Sequence, residues 1–104
     1  MYEKFVAERI AQLRTQKGVS GRDMSLSLGQ SEGYINKIEN QHAEPSQQGL
    51  YAIMEYFGVT PNEFYDSGIK YPAKLHKVIG NLTKLSEAKL DHVDAIVEDM
   101  VENQ

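Results

Sequence analysis

The chain has 104 residues, of which 40% are hydrophobic and 25% are charged, and its formal net charge is −4 at pH 7. This composition is typical of a globular protein and excludes the disordered and fibrous classes. The length allows one domain with a single core and a short appendage. The absence of cysteine excludes disulfides and thiolate metal sites. Neither an apolar signal core nor a membrane-length apolar run is present, so we expect a cytoplasmic protein with no membrane partner.

Two helical patterns, a long one and a short one, follow each other at the start of the chain. Apolar residues recur at helical spacing over residues 3–17, and Gly18 is placed to end this first predicted helix. Ser20 is a suitable N-cap for a second, shorter helix that runs to about Gly29. The sequence therefore predicts a helix of four turns followed by a short one.

A third short helix is predicted directly after a glycine turn. Ser31 is its expected N-cap, so that the helix starts near this residue and runs to about Asn40. Two short capped helices joined by a glycine turn have the order and size of a helix-turn-helix motif. By geometry alone, simple packing in a small helical protein fits the same pattern equally well.

Two further helices have clear boundary signals. Residues 41–45 are polar and end in a proline, which predicts a loop. A fourth helix is expected over about residues 46–57, with Gly58 ending it in a left-handed conformation. The run Thr60-Pro61-Asn62-Glu63 combines an N-cap, a first-turn proline and a capping-box glutamate, which predicts a short fifth helix.

The last third of the chain is predicted to be an extension of the first domain. Residues 66–72 contain glycine and proline with little periodicity, so the domain is expected to cover residues 1–66, with a linker and helical extension over residues 67–104. One helix is expected around residues 75–82, and Ser86 caps another. The apolar stripe of that last helix is Leu90, Val93, Val97, Met100 and Val101. Since no strand pattern is present, we predict an all-α fold of five helices plus a two-helix extension.

An ordered series of residues extends through the region from Val6 to Tyr65. Its members are Ile10, Leu13-Arg14, Lys17-Gly18-Val19-Ser20, Leu28-Gly29-Gln30-Ser31, Ile35-Asn36-Lys37-Ile38-Glu39-Asn40, Pro45-Ser46, Leu50, Ile53, Phe57-Gly58-Val59-Thr60 and Phe64. At these spacings the series resembles the Cro/C1-type helix-turn-helix regulators (lambda-repressor-like, XRE family). The resemblance implies a lambda-repressor-like domain that binds specific DNA sequences in transcriptional control, and family analogy favours repression over activation.

The resemblance also implies a set of base-reading residues. In the family, exposed early residues of the third helix reach base edges in the major groove. The corresponding positions here are Glu32, Gly33, Asn36 and Lys37. Lysine donates to guanine, asparagine pairs with adenine, and glutamate accepts from the cytosine amino group. Gly33 has no side chain, which fits close backbone approach or no contact.

Phosphate contacts are implied at the starts of the second and third helices and in the loop that follows. The implied contact residues are Gly21, Arg22, Ser31, Tyr34, Asn40 and Gln41. At Gly21 most family members have a glutamine, so only the backbone N–H is available there. Packing at the edge of the core fits Tyr34 equally well. Ser25 replaces the usual alanine, and Arg14 and Glu39 occupy positions that pair across the first and third helices in the family.

The charge balance opposes non-specific DNA binding. Residues 1–65 hold six Lys or Arg against eight Asp or Glu. Affinity for DNA must then come from the local placement of positive charges, from direct readout of bases and from avidity. We therefore expect a homodimer on double-stranded DNA, formed through the stripe after Tyr71; the alternative is that this stripe packs on the chain's own first five helices.

Other functional classes are less well supported by the sequence. The three histidines have no metal-ligand spacing, and the glycines punctuate helices rather than form a phosphate-cradling loop after a strand. We therefore expect no enzyme, no metal and no cofactor. The main alternative function is a protein-interaction module, or the antitoxin half of a pair, built on the same helix-turn-helix scaffold.

Overall fold

The computed structural model describes residues 2–66 and 68–104, and the regular secondary structure of these residues consists of helices, with no strand. The helices are α1 (Tyr2–Lys17), α2 (Gly21–Ser27), α3 (Tyr34–Glu39), α4 (Gln47–Phe57), α5 (Pro61–Tyr65), α6 (Pro72–Leu82) and α7 (Glu87–Glu102). The predicted all-α fold class is confirmed. The chain divides into two compact units, residues 1–73 and residues 74–104.

The first unit is organised around one apolar core to which α1 to α5 all contribute. Its buried members are Val6, Ile10, Leu13, Met24, Ile35, Ile38, Ile53, Met54, Phe57, Val59 and Phe64. In α1, α3 and α4 these residues recur at helical spacing and form an apolar stripe turned toward the common centre, while α2 and α5 contribute one residue of this core each, Met24 and Phe64. The short α2 and α3 depend on this burial, because helices of six or seven residues are not stable alone in water.

Local capping accounts for the boundaries of α2, α4 and α5. The hydroxyl of Ser20 accepts a hydrogen bond from the Asp23 amide at 3.0 Å, and Ser46 accepts one from the Gly49 amide at 3.0 Å. Thr60 forms both halves of a capping box with the residue three positions later. The predicted N-caps Ser20 and Thr60 are confirmed, and Ser46 has the same role at α4; each side-chain oxygen satisfies an amide that has no partner within its helix.

The predicted N-cap of the third helix, Ser31, is wrong by two residues. α3 begins at Tyr34, its N-cap is Gly33, and no side chain of the N-cap accepts a hydrogen bond. Ser31 instead offers only its carbonyl, which accepts from the Tyr34 amide at 3.0 Å. The Ile35 amide donates to the hydroxyl of Ser25, which lies on α2, at 3.0 Å. The cap therefore comes from a neighbouring helix, which local capping rules do not consider.

The second unit has no core of its own. Residues 74–104 include no buried residue, although Ser86 caps α7 as predicted. The large apolar side chains that remain exposed here are Leu75, Val78, Ile79, Leu90, Ile96, Val97, Met100 and Val101. A piece of about 30 residues is well below the size that folds on a core alone, so this unit needs a partner surface. None of the described helices is long and apolar enough to cross a membrane.

Candidate nucleic-acid interface

A tight turn joins α2 to α3 and fixes the geometry of the motif. Gly29 has φ 73, which is the left-handed conformation that glycine adopts at low cost. The amide of Gln30 donates back to the Ser25 carbonyl at 3.0 Å. Ser25 is fully buried, and its hydroxyl donates to the Gly21 carbonyl at 2.7 Å while accepting from α3. One small side chain thus connects the start of α2 to the start of α3.

α3 has one buried side and one exposed side. Ile35 and Ile38 are buried in the core, whereas Asn36, Lys37 and Asn40 are exposed. The Asn40 side-chain amide donates to the Asn36 side-chain oxygen at 3.0 Å. This contact orients the Asn36 amide and leaves its NH₂ group, together with one lone pair of its oxygen, for another partner.

Two residues that the sequence assigned to separate DNA contacts bind each other. The Arg22 Nε donates to Glu32 Oε2 at 3.0 Å, and the two side chains are 67% and 69% exposed. Arg22 lies in the first turn of α2, and Glu32 lies in the turn before α3. The pair therefore bridges the adjacent ends of the two helices of the motif.

The two glycines predicted to lie at the interface have room around them. A Cβ built on Gly33 has no neighbour within 4 Å, and one built on Gly21 lies 3.8 Å from Cγ2 of Ile35, an ordinary contact. Neither glycine has a positive φ. Close packing inside the protein is therefore not the reason that either position lacks a side chain.

Tyr34 lies apart from the exposed residues of α3. It is partly buried against the core, and burial raises the pKa of its hydroxyl. A Cβ built on Gly49 of α4 falls 2.8 Å from the Tyr34 hydroxyl oxygen. The ring thus packs at the edge of the core with its hydroxyl against α4, which favours the packing alternative considered for this residue.

The end of α3 carries a strained residue. Gln41 has φ 60, and among the described residues it is the non-glycine residue with positive φ. Its amide donates to the Ile38 carbonyl at 3.0 Å, and the His42 amide donates to the Lys37 carbonyl at 2.8 Å. These two bonds form a Schellman motif, in which glycine is the usual residue at this position.

An ion pair holds α3 to α1. The Arg14 Nε and Nη2 atoms donate to the two carboxylate oxygens of Glu39 at 2.7 and 2.9 Å, and Nη1 donates to the Val19 carbonyl at 3.0 Å. The side chains are 24% and 14% exposed. The hydrogen bonds to Glu39 raise the pKa of Arg14. The pairing implied by the family resemblance is confirmed, with the bidentate geometry that arginine favours.

Arg9 has a role that the sequence analysis did not identify. It reads as one of the charged positions between the apolar residues of the first helix, yet it is only 2% exposed. Its Nε donates to the Phe64 carbonyl and its Nη2 to the Glu63 carbonyl, both at 2.6 Å. Burial lowers the pKa of Arg9, and the charge of Asp66 opposes this. A guanidinium on the last carbonyls of α5 acts as a C-terminal cap, and only the folded chain brings these residues together.

The family comparison agrees with this geometry. A family model described as helix-turn-helix matches residues 10–64, which is more than half of the chain and includes α2, α3 and the residues that hold them. No curated protein and no solved structure matches the chain. The matched domain is a DNA-binding regulatory domain and is generally non-enzymatic. The chain therefore belongs to the Cro/C1-type helix-turn-helix (XRE) family of DNA-binding regulators.

Proposed function

We propose that this protein is a cytoplasmic transcriptional repressor that binds a specific sequence in duplex DNA with α3 in the major groove. The observation that carries the proposal is the two-sided character of α3. Ile35 and Ile38 fix one side in the core, so that Asn36 and Lys37 project from a rigid support. Rigid placement of polar side chains is what direct readout of base edges requires.

The base contacts are assigned by side-chain chemistry. Lys37 donates to guanine, and Asn36 pairs with adenine through its amide, whose orientation Asn40 fixes at 3.0 Å. Gly33 has no side chain of its own, and no other group of the protein lies within 4 Å of the position of its missing Cβ. The backbone at Gly33 can therefore approach the bases closely. Glu32 lies in the turn before α3 and forms an ion pair with Arg22.

The phosphate contacts surround the base readers. Asn40 and Gln41 directly follow α3, whereas Gly21 begins α2 and Ser31 precedes α3, where their backbone N–H groups would contact phosphate. Their role is to fix the register of α3 without reading sequence. Tyr34 contributes indirectly, because its ring packs on the core with its hydroxyl against α4.

The second unit supports a homodimer. Its exposed apolar side chains require cover, and its helices differ in charge. α6 contains two lysines and no acidic residue, whereas α7 contains six Asp or Glu and one lysine. We propose that α6 of one copy packs against α7 of a second copy, so that apolar faces meet and opposite charges flank them. Two linked domains would offset the low affinity of one acidic domain through avidity.

Titration of the labelled chain with a mixed-sequence duplex, followed by NMR of the backbone amides, tests the proposed surface. We expect the largest shifts at residues 20–22 and 31–42, because these segments form the proposed contacts. Lys37→Glu should abolish the shifts, since it reverses the charge at the centre of this surface. Largest shifts within α4 or α7 would contradict the assignment of the surface.

The same titration separates DNA binding from the protein-interaction alternative. A module that binds only another protein leaves its amide spectrum unchanged by duplex at low salt, where even weak phosphate contacts are detectable. A spectrum that does not respond to any duplex would therefore contradict the proposed function and favour the interaction module or antitoxin.

A further inference from the structure

The ion pair between Arg22 and Glu32 changes the role that the carboxylate can have. A carboxylate on a DNA-facing surface is repelled by phosphates, and its desolvation is costly unless a cation neutralises it. Glu32 has such a cation at 3.0 Å. The contact uses only Oε2, so a Glu32 that read a cytosine through its other oxygen would still be bound to Arg22, and the two residues would not act as independent contacts.

The geometry of the contact leaves a specific part of Arg22 available. The hydrogen bond to Glu32 uses only Nε, and among the described residues neither terminal amino group of Arg22 has a hydrogen-bond partner. The two terminal groups lie in the plane of the guanidinium and donate in parallel, which matches the O6 and N7 acceptors of guanine. A carboxylate on Nε restrains that plane before DNA binds. The arginine therefore loses less rotational freedom on binding.

We propose that Arg22 and Glu32 act as one recognition unit, in which Arg22 reads a guanine through its two terminal amino groups and Glu32 is the positioning residue that fixes the guanidinium plane. The inference rests on the proposed function, since it assumes that α2 and α3 face a duplex. It replaces two independent contacts, a phosphate contact and a cytosine contact, with a single base-specific contact made by both residues.

Selection from a randomised duplex pool, applied to the full chain and to Arg22→Ala, Glu32→Ala and the double variant, tests this unit. Both side chains are about two thirds exposed, so the variants should keep the helical content of the parent chain. We expect the parent site to contain a guanine whose preference drops by about tenfold in each single variant. The double variant should lose no more than Arg22→Ala alone. Arg22→Lys should not restore the preference, because an ammonium lacks the planar pair of donors.

Three results would overturn the inference while leaving the proposed function intact. One is that Glu32→Ala changes preference at a different base pair from Arg22→Ala. Another is that the losses of the two single variants add in the double variant. The third is that Arg22→Ala weakens binding to all sequences equally, which identifies a phosphate contact. If the parent chain selects no duplex at all, the proposed function fails together with the unit.

Discussion

Lys37 is the residue whose replacement separates base reading from phosphate binding most simply. It is exposed on α3, on the side opposite the buried isoleucines. We expect Lys37→Ala to cost about 1–3 kcal/mol on the preferred duplex and to relax the preference at one base pair. Lys4→Ala removes the same charge outside residues 20–42, so it should leave base preference unchanged. Equal weakening on all sequences would make Lys37 a phosphate contact instead.

The Arg14 and Glu39 pair should make a measurable contribution to stability. The contact is bidentate and mostly buried, so removing one partner strands the other in a poorly hydrated place. A double-mutant cycle with Arg14→Ala and Glu39→Ala, followed by denaturant unfolding, should give a coupling of about 1–3 kcal/mol.

The exposed pair Lys4 and Glu8 provides a matched control for that cycle. Its atoms lie 4.0 Å apart, and both side chains are more than two thirds exposed. Its coupling should not exceed about 0.5 kcal/mol. Equal couplings for the two pairs would mean that burial and bidentate geometry contribute nothing at Arg14.

For single residues, the sequence predicted those side-chain contacts in which both partners match a family pattern. Arg14 and Glu39 were identified in that way, and the structure confirms their contact. Arg9 was not, because its partners are backbone carbonyls more than 50 residues away. Carbonyls carry no sequence signature, so a buried arginine that binds them looks like any charged position on a helix. The contact between Arg22 and Glu32 was not predictable from local spacing, because the two residues are ten positions apart and the turn between α2 and α3 brings them together.

The end of α3 should be more stable with glycine at residue 41. Gln41 has φ 60, and a side chain in this conformation costs about 1–2 kcal/mol, part of which glycine regains through its own flexibility. We expect Gln41→Gly to stabilise the fold by about 0.5–1 kcal/mol in thermal unfolding while weakening DNA binding. Ala52→Gly, at an exposed position in the middle of α4, should destabilise the fold instead. A loss of stability in Gln41→Gly would mean that the positive φ of Gln41 does not destabilise the fold.

The contact between α3 and α4 should limit what residue 49 can be. A Cβ at Gly49 would lie 2.8 Å from the Tyr34 hydroxyl, so the ring must move. We expect Gly49→Ala to destabilise the fold by about 1 kcal/mol, because the steric cost exceeds the gain in helix propensity. Tyr34→Phe in the same chain should recover part of the loss by removing the oxygen, while the 3.1 Å contact of the same Cβ with Ser46 Oγ remains.

Gly80 offers a control for the effect of alanine itself. It lies within α6, and a Cβ built there has no neighbour within 4 Å. Gly80→Ala should be neutral or stabilising by up to about 1 kcal/mol. If Gly49→Ala behaves in the same way, the ring of Tyr34 is not held against α4.

Element boundaries were predictable where the signal is local. Ser46, Gly58 and Thr60 cap their own helices, so their roles can be deduced from neighbouring residues alone. The start of α3 was not predictable in this way, because its cap is a serine ten residues earlier on another helix. Ser25 also explains a departure from the family pattern. The usual alanine at this position could not supply that hydroxyl.

The second unit should determine the oligomeric state of the whole chain. Val97 and Val101 are exposed on α7, so replacing both with glutamate costs little in a monomer but opposes packing with a second copy. We expect the parent chain to sediment as a dimer at micromolar concentration, and Val97→Glu with Val101→Glu, or a chain ending at Ala73, as a monomer. A monomeric parent chain whose first unit is destabilised by the double replacement would instead favour packing on its own helices.

At the scale of the molecule, the sequence predicted the number and order of the helices because periodicity and caps are local. It placed the end of the first domain near Asp66. In the structure the first compact unit continues to Ala73, and the carbonyls of Asp66, Ile69 and Lys70 accept hydrogen bonds from side chains of α1. These are again contacts to backbone atoms. Glycine and proline mark this segment as irregular but give no indication that it packs.

Selection of bound duplexes by the full chain from a randomised DNA pool is the most direct test of sequence-specific binding. We expect recovery of one palindrome, whose half-sites lie roughly 10 base pairs or a multiple apart, because a two-fold dimer presents two copies of α3. Binding to this duplex should exceed binding to a scrambled one at every salt concentration, and both should weaken as salt increases. A recovered pool with no sequence enriched over the input would contradict the central claim.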